Sequence, residues 1–194
     1  MEKDIILGQK YWDHRYKEGD TPWDLGCVSP PLKAYFDQLK DKNIKILIPG
    51  AGSAYEAIYL RMLGFKQVSV CDISPIAIDR IRRKYPEIYT ICNDFFDLSG
   101  KYDLIVEQTF FCALEPRLRG RYFEKMYDLL SPQGKIVGLL FASHFVHPGP
   151  PFGGTKEEYE ALFQNPFKVE YFDFSYNSIE PRKGNELFLL LKKR

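Results

Sequence analysis

Apolar and polar residues alternate along the chain in blocks that predict strands and helices in turn. Apolar runs typical of buried strands occupy residues 44–49, 68–72, 89–92, 102–107 and 135–141. Between them, apolar residues recur at helical spacing, as from Leu32 to Leu39 and from Leu118 to Leu130, which predicts amphipathic helices. Strands that alternate with helices form a mainly parallel sheet, so the pattern predicts an α/β fold.

The last part of the sequence departs from this alternation. Two strands are predicted at residues 168–176 and 186–193, and residues 177–185 between them show no helical pattern. A connection this short cannot form a crossover helix and return in parallel. These two strands should therefore pair antiparallel.

A glycine turn follows the first strand, in the sequence P-G-A-G-S from Pro49 to Ser53. Glycine lets a ligand approach the backbone where a Cβ atom would block it. Asp72 ends the second strand roughly twenty residues later, the spacing at which an acidic side chain meets ribose hydroxyls in nucleotide-binding folds. The third glycine of the dinucleotide fingerprint is absent, which disfavours a NAD-linked oxidoreductase. A two-glycine turn with a downstream acid is typical of S-adenosylmethionine-dependent methyltransferases, with an ordinary turn as the alternative.

Three helix starts carry recognisable signals. Ser53 and Glu56 have the spacing of a capping box, which predicts a helix that begins at Ser53 and gives Glu56 a capping role. Thr155 and Glu158 repeat that spacing before the last predicted helix. Ser74 is followed by proline, which is favoured in the first turn of a helix.

Residues 8–28 hold both tryptophans, Trp12 and Trp23, and lie outside the predicted strands. One interpretation is a segment whose aromatic rings seal the core. The other is an N-terminal flap over a ligand site, because a tryptophan ring buries much area and can face a cation. The two interpretations are compatible if the ligand carries a sulfonium. His14 in this segment is predicted to be a surface residue.

The composition is that of an ordinary globular protein, with 45% hydrophobic and 27% charged residues among 194, and one domain over residues 1–194 is expected. A net charge of +1 provides no field that would attract nucleic acid or a membrane. The start of the chain, residues 1–4, is charged, and the residues after it do not form the apolar core of a signal peptide. The cysteines show no C-x-x-C spacing, and Cys71 and Cys92 are predicted to be buried free thiols. No cluster has metal-ligand spacing. We expect a cytoplasmic monomer that binds neither nucleic acid nor metal.

Longer motifs narrow the class of protein. They are T-P-W-D-x-G at residues 21–26, F-F-C-A-L-E-P at residues 110–116 and H-P-G-P-P-F at residues 147–152. Together with the glycine turn and Asp72, they make nearly the whole chain resemble the class I methyltransferases of the thiopurine and halide/thiol methyltransferase group. The resemblance implies a Rossmann-like, mainly parallel sheet of seven strands, with an antiparallel last strand and helices on both faces.

The resemblance also implies a site for S-adenosylmethionine as cofactor. Its residues would be Trp12, Trp23, Gly50, Ala51, Gly52, Asp72, Ile73, Asp94, Phe95 and Glu107. Candidates for the acceptor pocket are Gln108, Phe111, Phe141, His144 and Phe152. The thiopurine branch carries an arginine in place of Gln108, and the halide/thiol branch has a tyrosine near Phe141. These two departures leave the acceptor less well defined than the cofactor.

The predicted function is an S-adenosylmethionine-dependent methyltransferase that acts on a small, soft nucleophile. The acceptor would be a thiol (thiopurine-like thiols included), hydrosulfide, thiocyanate or a halide. Such an acceptor needs no proton removed by the enzyme, so the protein has to align two reactants and exclude water. Two alternatives stay open. An O- or N-methyltransferase of a small metabolite would use a base such as His144 or His147, and a non-catalytic module would bind S-adenosylmethionine without turnover.

Overall fold

A sheet of seven strands forms the centre of the protein, with helices on both faces. The computed structural model describes residues 7–147 and 149–194, so Pro148 of the H-P-G-P-P-F motif and residues 1–6 lie outside the described residues. The strands are β1 Lys45–Pro49, β2 Gln67–Asp72, β3 Tyr89–Cys92, β4 Tyr102–Gln108, β5 Leu130–Phe141, β6 Phe167–Phe174 and β7 Glu186–Lys193. The helices are α1 Gln9–Glu18, α2 Pro30–Phe36, α3 Tyr55–Met62, α4 Pro75–Lys84, α5 Arg119–Leu129 and α6 Lys156–Phe163.

The strand order is β3-β2-β1-β4-β5-β7-β6. The strands from β1 to β5 pair in parallel, and β7 pairs antiparallel with both β5 and β6. This arrangement confirms the predicted α/β fold with an antiparallel last strand. Because β2 and β4 lie on opposite sides of β1, the topological switch point falls between β1 and β4. Open α/β sheets bind their ligands beyond the carboxyl ends of the strands at such a point.

Alternate residues of the central strands face two apolar layers. From β1, Ile46 and Ile48 pack toward α2, α3 and α4, whereas Leu47 packs toward α5 and α6. Side chains from both layers, such as Leu60 in α3 and Phe123 in α5, are buried. Each buried side chain of this size contributes about 1.5–3 kcal/mol to folding. With both faces of the sheet covered, the loops at the strand ends are left to form a site.

The predicted capping box at Ser53 and Glu56 is wrong. Ala54 has φ 58°, in the left-handed region, and α3 begins only at Tyr55. Both side chains have partners elsewhere: the Ser53 hydroxyl donates to Asp24 at 2.5 Å, and Glu56 accepts the N–H of Ser29 at 3.2 Å. The left-handed residue separates Ser53 from the first helical turn, so tertiary contacts replace the local cap.

Other predicted boundaries agree with the structure or shift by a few residues. The capping box of Thr155 and Glu158 is complete, and the Ser74 hydroxyl accepts the N–H of Ala77 at the start of α4. Strand β5 begins at Leu130 and not at residue 135, because Leu130 pairs with Tyr102 ahead of a register shift.

Cysteine burial follows the sheet order. Cys71 on the inner strand β2 is buried as predicted, whereas Cys92 is exposed, because β3 is an edge strand. None of the helices over the described residues is long and apolar enough to cross a bilayer.

Candidate active site

A cavity of about 610 Å³ lies beyond the carboxyl ends of the central strands, at the switch point. Small-molecule sites in proteins usually measure about 300–1,000 Å³. The strand ends contribute Gly50, Asp72 and Asp94 to its walls, and the segment 8–28 contributes Trp12 and Trp23. The cavity is therefore built where the sheet topology and the sequence motifs both place a ligand.

The glycine turn is fixed to the end of β2 by its own backbone. The N–H of Ala51 donates to the carbonyl of Cys71 at 3.1 Å, and the N–H of Gly52 donates to the Asp72 carboxylate at 3.0 Å. Gly50 has φ 59°, and a Cβ atom there would lie 2.3 Å from the Phe110 ring. Glycine is thus required at residue 50 by both the backbone conformation and the close approach of the ring.

Asp72 lines the cavity and also organises the turn. Its carboxylate accepts the N–H groups of Gly52 and Ser74, at 3.0 and 2.9 Å, and the hydroxyl of Tyr16 at 3.5 Å. Burial raises the pKa of Asp72, and these donors act in the opposite direction. An ionised carboxylate has about four acceptor positions, so one stays available to a ligand. The ribose contact of Asp72 stays a prediction.

The segment 8–28 carries a helix that the sequence analysis did not predict. Tyr16 is the buried residue of α1, and its carbonyl accepts a hydrogen bond from Arg80 at 2.7 Å. The Trp12 and Trp23 rings lie edge to face with centroids 5.6 Å apart, and the Arg15 guanidinium lies 5.0 Å from the Trp23 ring. The Arg80 hydrogen bond docks the segment on α4, and the ring contacts hold the segment together internally. Its predicted role as a flap over the cofactor stays a prediction.

Three further predicted cofactor residues, Ile73, Asp94 and Phe95, line the cavity beside Asp72. The Asp94 carboxylate accepts the N–H of Phe96 at 2.8 Å, which fixes the loop after β3. Asp97 also lines this part of the cavity and was missed, because the D-F-F-D run gives no sign of which carboxylate turns inward.

Glu107 does not line the cavity. It is 1% exposed and accepts the N–H groups of Phe110 and Phe111, at 2.8 and 2.9 Å, and the hydroxyl of Tyr122. Burial raises the pKa of Glu107 to about 7, against the effect of these donors. Its observed role is to hold the loop that brings Phe110 against Gly50, and the predicted contact with the cofactor stays a prediction.

The five acceptor-pocket candidates are not brought together. Phe141 lines the large cavity. Phe111 is buried in the core, His144 is exposed, and neither lines that cavity. Phe152 packs against Gly149, and Gln108 lines a second, smaller cavity beside the glycine turn.

Arg182, which the sequence analysis missed, lines the large cavity beyond Phe141. Its guanidinium lies 3.2 Å from the Glu186 carboxylate, donates to the carbonyl of Trp23 at 2.9 Å and lies 5.3 Å from the centre of the Phe141 ring. It belongs to the connection between β6 and β7, which has no periodic pattern. No signal in a single sequence identifies such a residue.

The chain's histidines, His14, His144 and His147, are exposed and do not line the cavity. The carboxylates that do line it lie at the end of β2, as Asp72 does, or after β3. Phe141 and Arg182 lie on the opposite side, at the end of β5 and before β7. Within the described ranges, no group of three or more histidine, cysteine, aspartate or glutamate residues could hold a metal ion.

The fold and this site define a class I S-adenosylmethionine-dependent methyltransferase. A sequence model of the thiopurine S-methyltransferase family matches residues 7–188, and the chain belongs to that family. A probable thiol methyltransferase 2 of Arabidopsis thaliana is 31% identical over 185 residues, which cover 90% of this chain and 81% of that protein. Thiocyanate methyltransferase 1 of Brassica oleracea is 29% identical over 184 residues, with the same coverage, 90% and 81%.

Solved structures agree on the fold. The 1,6-didemethyltoxoflavin-N1-methyltransferase of Burkholderia thailandensis, bound to S-adenosylhomocysteine, is 18% identical with a TM-score of 0.75 and covers 100% of this chain and 93% of that one. The magnesium protoporphyrin IX methyltransferase of Synechocystis, bound to S-adenosylmethionine, is 12% identical with a TM-score of 0.76 and covers 100% of both chains. The predictions of a methyltransferase of this family and of S-adenosylmethionine as its cofactor are confirmed.

The residues present fit this cofactor. The large cavity presents a carboxylate at the end of β2 and aromatic rings around the glycine turn, where Gly50 admits the close approach of the Phe110 ring. Beside that turn, the buried Oε1 atom of Gln108 has no hydrogen-bond partner in the described part of the chain. When bound, the cofactor supplies a methyl group activated by its sulfonium.

Proposed function

We propose that the protein transfers this methyl group to a small, soft anion: a thiolate, hydrosulfide, thiocyanate or a halide. The observation that carries the proposal is the composition of the large cavity beside the end of β5 and the connection that precedes β7. Among the described residues, Arg182 contributes a charged side chain at that end, and Phe141, Phe145, Pro150 and Pro151 supply an apolar lining. The residues that the structure describes in that part of the cavity include an arginine but no histidine or carboxylate that could act as a base.

The main contribution of the protein to this reaction is to position the acceptor and the cofactor. The cofactor, held beside Gly50 and Asp72, would supply a methyl group on its sulfonium. An anionic acceptor would take that carbon in exchange for the carbon–sulfonium bond, and the cofactor would leave as a neutral thioether. No proton has to move when the acceptor arrives as an anion. Bringing the two reactants into line and excluding water then account for the rate enhancement.

Arg182 suits this role because it is fixed before any acceptor binds. Glu186, the carbonyl of Trp23 and the Phe141 ring hold the guanidinium from three sides. The nearby Cys112 thiol also lines the cavity, and burial raises its pKa, so it stays protonated and is not a base. The names of relatives at 29–31% identity, thiol and thiocyanate methyltransferases, support an acceptor of this class.

The pH dependence of the reaction tests the proposal. A thiol with a pKa of about 8.5 is mostly protonated at neutral pH. The value of kcat/KM should rise with pH as the free thiol ionises, and the curve should move with the acceptor's own pKa when a more acidic thiol is used. With iodide or thiocyanate, which have no proton to lose, that rise should vanish.

Base-assisted transfer, the mark of an O- or N-methyltransferase, predicts a different curve. It gives a rise near about pH 6.5 that belongs to the enzyme and stays when the thiol is changed. His144→Gln and His147→Gln should keep their thiol activity, with the exposed His14→Gln as the matched control. A loss of about a hundredfold in one of the first two variants, with cofactor binding intact, would contradict the proposal.

We further propose that the protein acts as a monomer in the cytoplasm on a small-molecule acceptor. The net charge of +1 and the cavity of about 610 Å³, a size typical of small-molecule sites, support this view. Light scattering coupled to gel filtration would show a mass of 22.7 kDa for the monomer.

A further inference from the structure

Gln108 ends β4 next to the glycine turn of β1. The resemblance suggested that its side chain belongs to the acceptor pocket, but it does not line the large cavity. Its Oε1 atom is buried and has no hydrogen-bond partner among the described residues. Leaving a buried carbonyl oxygen unpaired is costly, so a donor from outside the chain is expected at this atom.

The small cavity that Gln108 lines measures about 40 Å³. The glycine turn forms one side of it, and the segment 8–28 forms another through Trp23 and Asp24. A volume of this size admits one or two water-sized groups. It can therefore take a small polar group, and not a nucleoside.

The charged side chains of the small cavity are both carboxylates. Asp24 and Glu56 line it together with Gln108, and among the described residues no lysine or arginine does. The carboxylate of Asp24 already accepts the Ser53 hydroxyl, and that of Glu56 accepts the N–H of Ser29. Burial raises the pKa of Glu56, so the negative charge in this cavity comes from the Asp24 carboxylate. With the Gln108 carbonyl as a free acceptor and this carboxylate nearby, the cavity suits a cation that carries N–H donors.

The small cavity also adjoins the large one. Trp23, Gly50 and Thr109 line both cavities. A ligand whose nucleoside lies beside Asp72 in the large cavity can thus place one end in the small one. In S-adenosylmethionine, that end carries an α-ammonium group with three N–H donors.

We propose that the Gln108 amide oxygen accepts a hydrogen bond from the α-ammonium group of the cofactor, with the Asp24 carboxylate supplying a favourable field. Gln108 is then a cofactor-binding residue and not part of the acceptor pocket. The inference rests on the methyltransferase function proposed above, but it makes no assumption about the acceptor.

Binding measurements with matched ligands test this contact directly. The ligands are S-adenosylhomocysteine, its analogue with hydrogen in place of the amino group, and 5′-methylthioadenosine, which lacks the amino-acid part. Titration calorimetry on the wild-type protein and on Gln108→Met, a substitution of similar length without the amide, gives six dissociation constants. The Gln108→Met variant should bind S-adenosylhomocysteine about 10- to 100-fold more weakly, the range for one hydrogen bond to a charged group. Its affinity for the other two ligands should stay within about twofold, because the group that Gln108 contacts is missing from them.

Two further variants complete the test. Gln164→Met makes the same chemical change at an exposed site and should alter none of the affinities. Gln108→Glu keeps an acceptor oxygen and adds charge, so it should bind S-adenosylhomocysteine at least as tightly as the wild type and discriminate more strongly against the deaminated analogue. If Gln108→Met does not fold, the dissociation constants of Gln108→Glu and the wild type for the same three ligands still test whether Gln108 contacts the α-ammonium group.

Several outcomes would overturn the contact. Equal weakening of all three ligands in Gln108→Met would mean a general packing role, and no weakening would mean that a water molecule satisfies Gln108. A wild-type protein that does not distinguish S-adenosylhomocysteine from its deaminated analogue also excludes the contact. If the expected pattern appears but no soft acceptor is methylated, the proposed function fails and this inference stands.

Discussion

Removing the Arg182 guanidinium should destabilise the protein strongly. In Arg182→Met, the Glu186 carboxylate loses its ion-pair partner, and the carbonyl of Trp23 loses a donor. The two side chains of the pair are only 10% and 3% exposed, so water cannot easily replace the lost guanidinium. An unpaired buried charge is the reason for the expected loss.

The magnitude follows from this burial. Breaking a buried ion pair by removing one partner costs about 3–5 kcal/mol. For a domain of this size, each kcal/mol lowers the melting temperature by about 2–4 °C, so Arg182→Met should melt about 6–20 °C below the wild type. Chemical unfolding followed by circular dichroism gives the free energy directly.

The neighbouring residue provides the matched control. Lys183 pairs with Glu180 at 3.1 Å, but the side chains of this pair are 60% and 84% exposed. Lys183→Met should therefore cost at most about 1 kcal/mol, as exposed pairs do. Amide exchange in residues 21–26 should become faster in Arg182→Met and stay unchanged in Lys183→Met.

A double variant separates the ion pair from simple loss of packing. The double variant Arg182→Met/Glu186→Met removes both charges of this pair, so neither is left buried without a partner. Part of the stability lost in Arg182→Met should therefore return. The reasoning would be refuted if Arg182→Met behaved like Lys183→Met. It would also be refuted if the two substitutions at Arg182 and Glu186 simply added their costs.

Further substitutions test the turn, the loop and the carboxylate of the cavity. Gly50→Ala should lower the free energy of unfolding by at least about 1 kcal/mol and weaken S-adenosylhomocysteine binding, because Gly50 has a positive φ and the Phe110 ring lies against it. Gly120 lies in α5 with open space where a Cβ atom would lie, so Gly120→Ala should stabilise the protein by about 0.5–1 kcal/mol. The folded-state pKa of Glu107 is raised to about 7, so the protonated carboxyl stabilises the fold fully below about pH 4.5, and this stabilisation is lost as the pH rises through 7. The loss should amount to about 3 kcal/mol in the free energy of unfolding measured against pH, and Glu107→Gln should remove it. Asp72→Ala should weaken S-adenosylhomocysteine binding about tenfold or more in calorimetry, and it should also lower stability, because two backbone N–H groups lose their acceptor.

The parts of the fold that local patterns encode could be predicted from the sequence. Apolar runs that end in Gly50 and Asp72 mark strands whose carboxyl ends meet a ligand, and their position follows from the sheet topology alone. The antiparallel β7 followed from the short connection before it. In each case the decisive contacts lie close in sequence or are fixed by the alternation of strands and helices.

Contacts between distant residues account for what was missed. Arg182 reaches the carbonyl of Trp23 across 159 residues, and Tyr16 reaches Asp72 across 56, and one sequence contains no signal of such pairs. The failed cap at Ser53 has the same cause, because Asp24 takes the hydroxyl that a local cap would have used. Gln108 was placed in the acceptor pocket by resemblance, but the direction of its side chain decides which cavity it serves.

The position of β7 has a consequence for how the protein is made. Strands β5 and β6 leave the ribosome before β7, yet in the sheet they are joined only through it. Until residues 186–193 emerge, β5 keeps one pairing edge open and β6 has no pairing partner. Apolar residues such as Phe172 then lack the cover that Leu189 provides. The parallel half, β1 to β4, can assemble while synthesis continues, whereas the other half has to wait. Synthesis that stalls before residue 186 would therefore leave open strand edges, the surfaces through which β proteins aggregate.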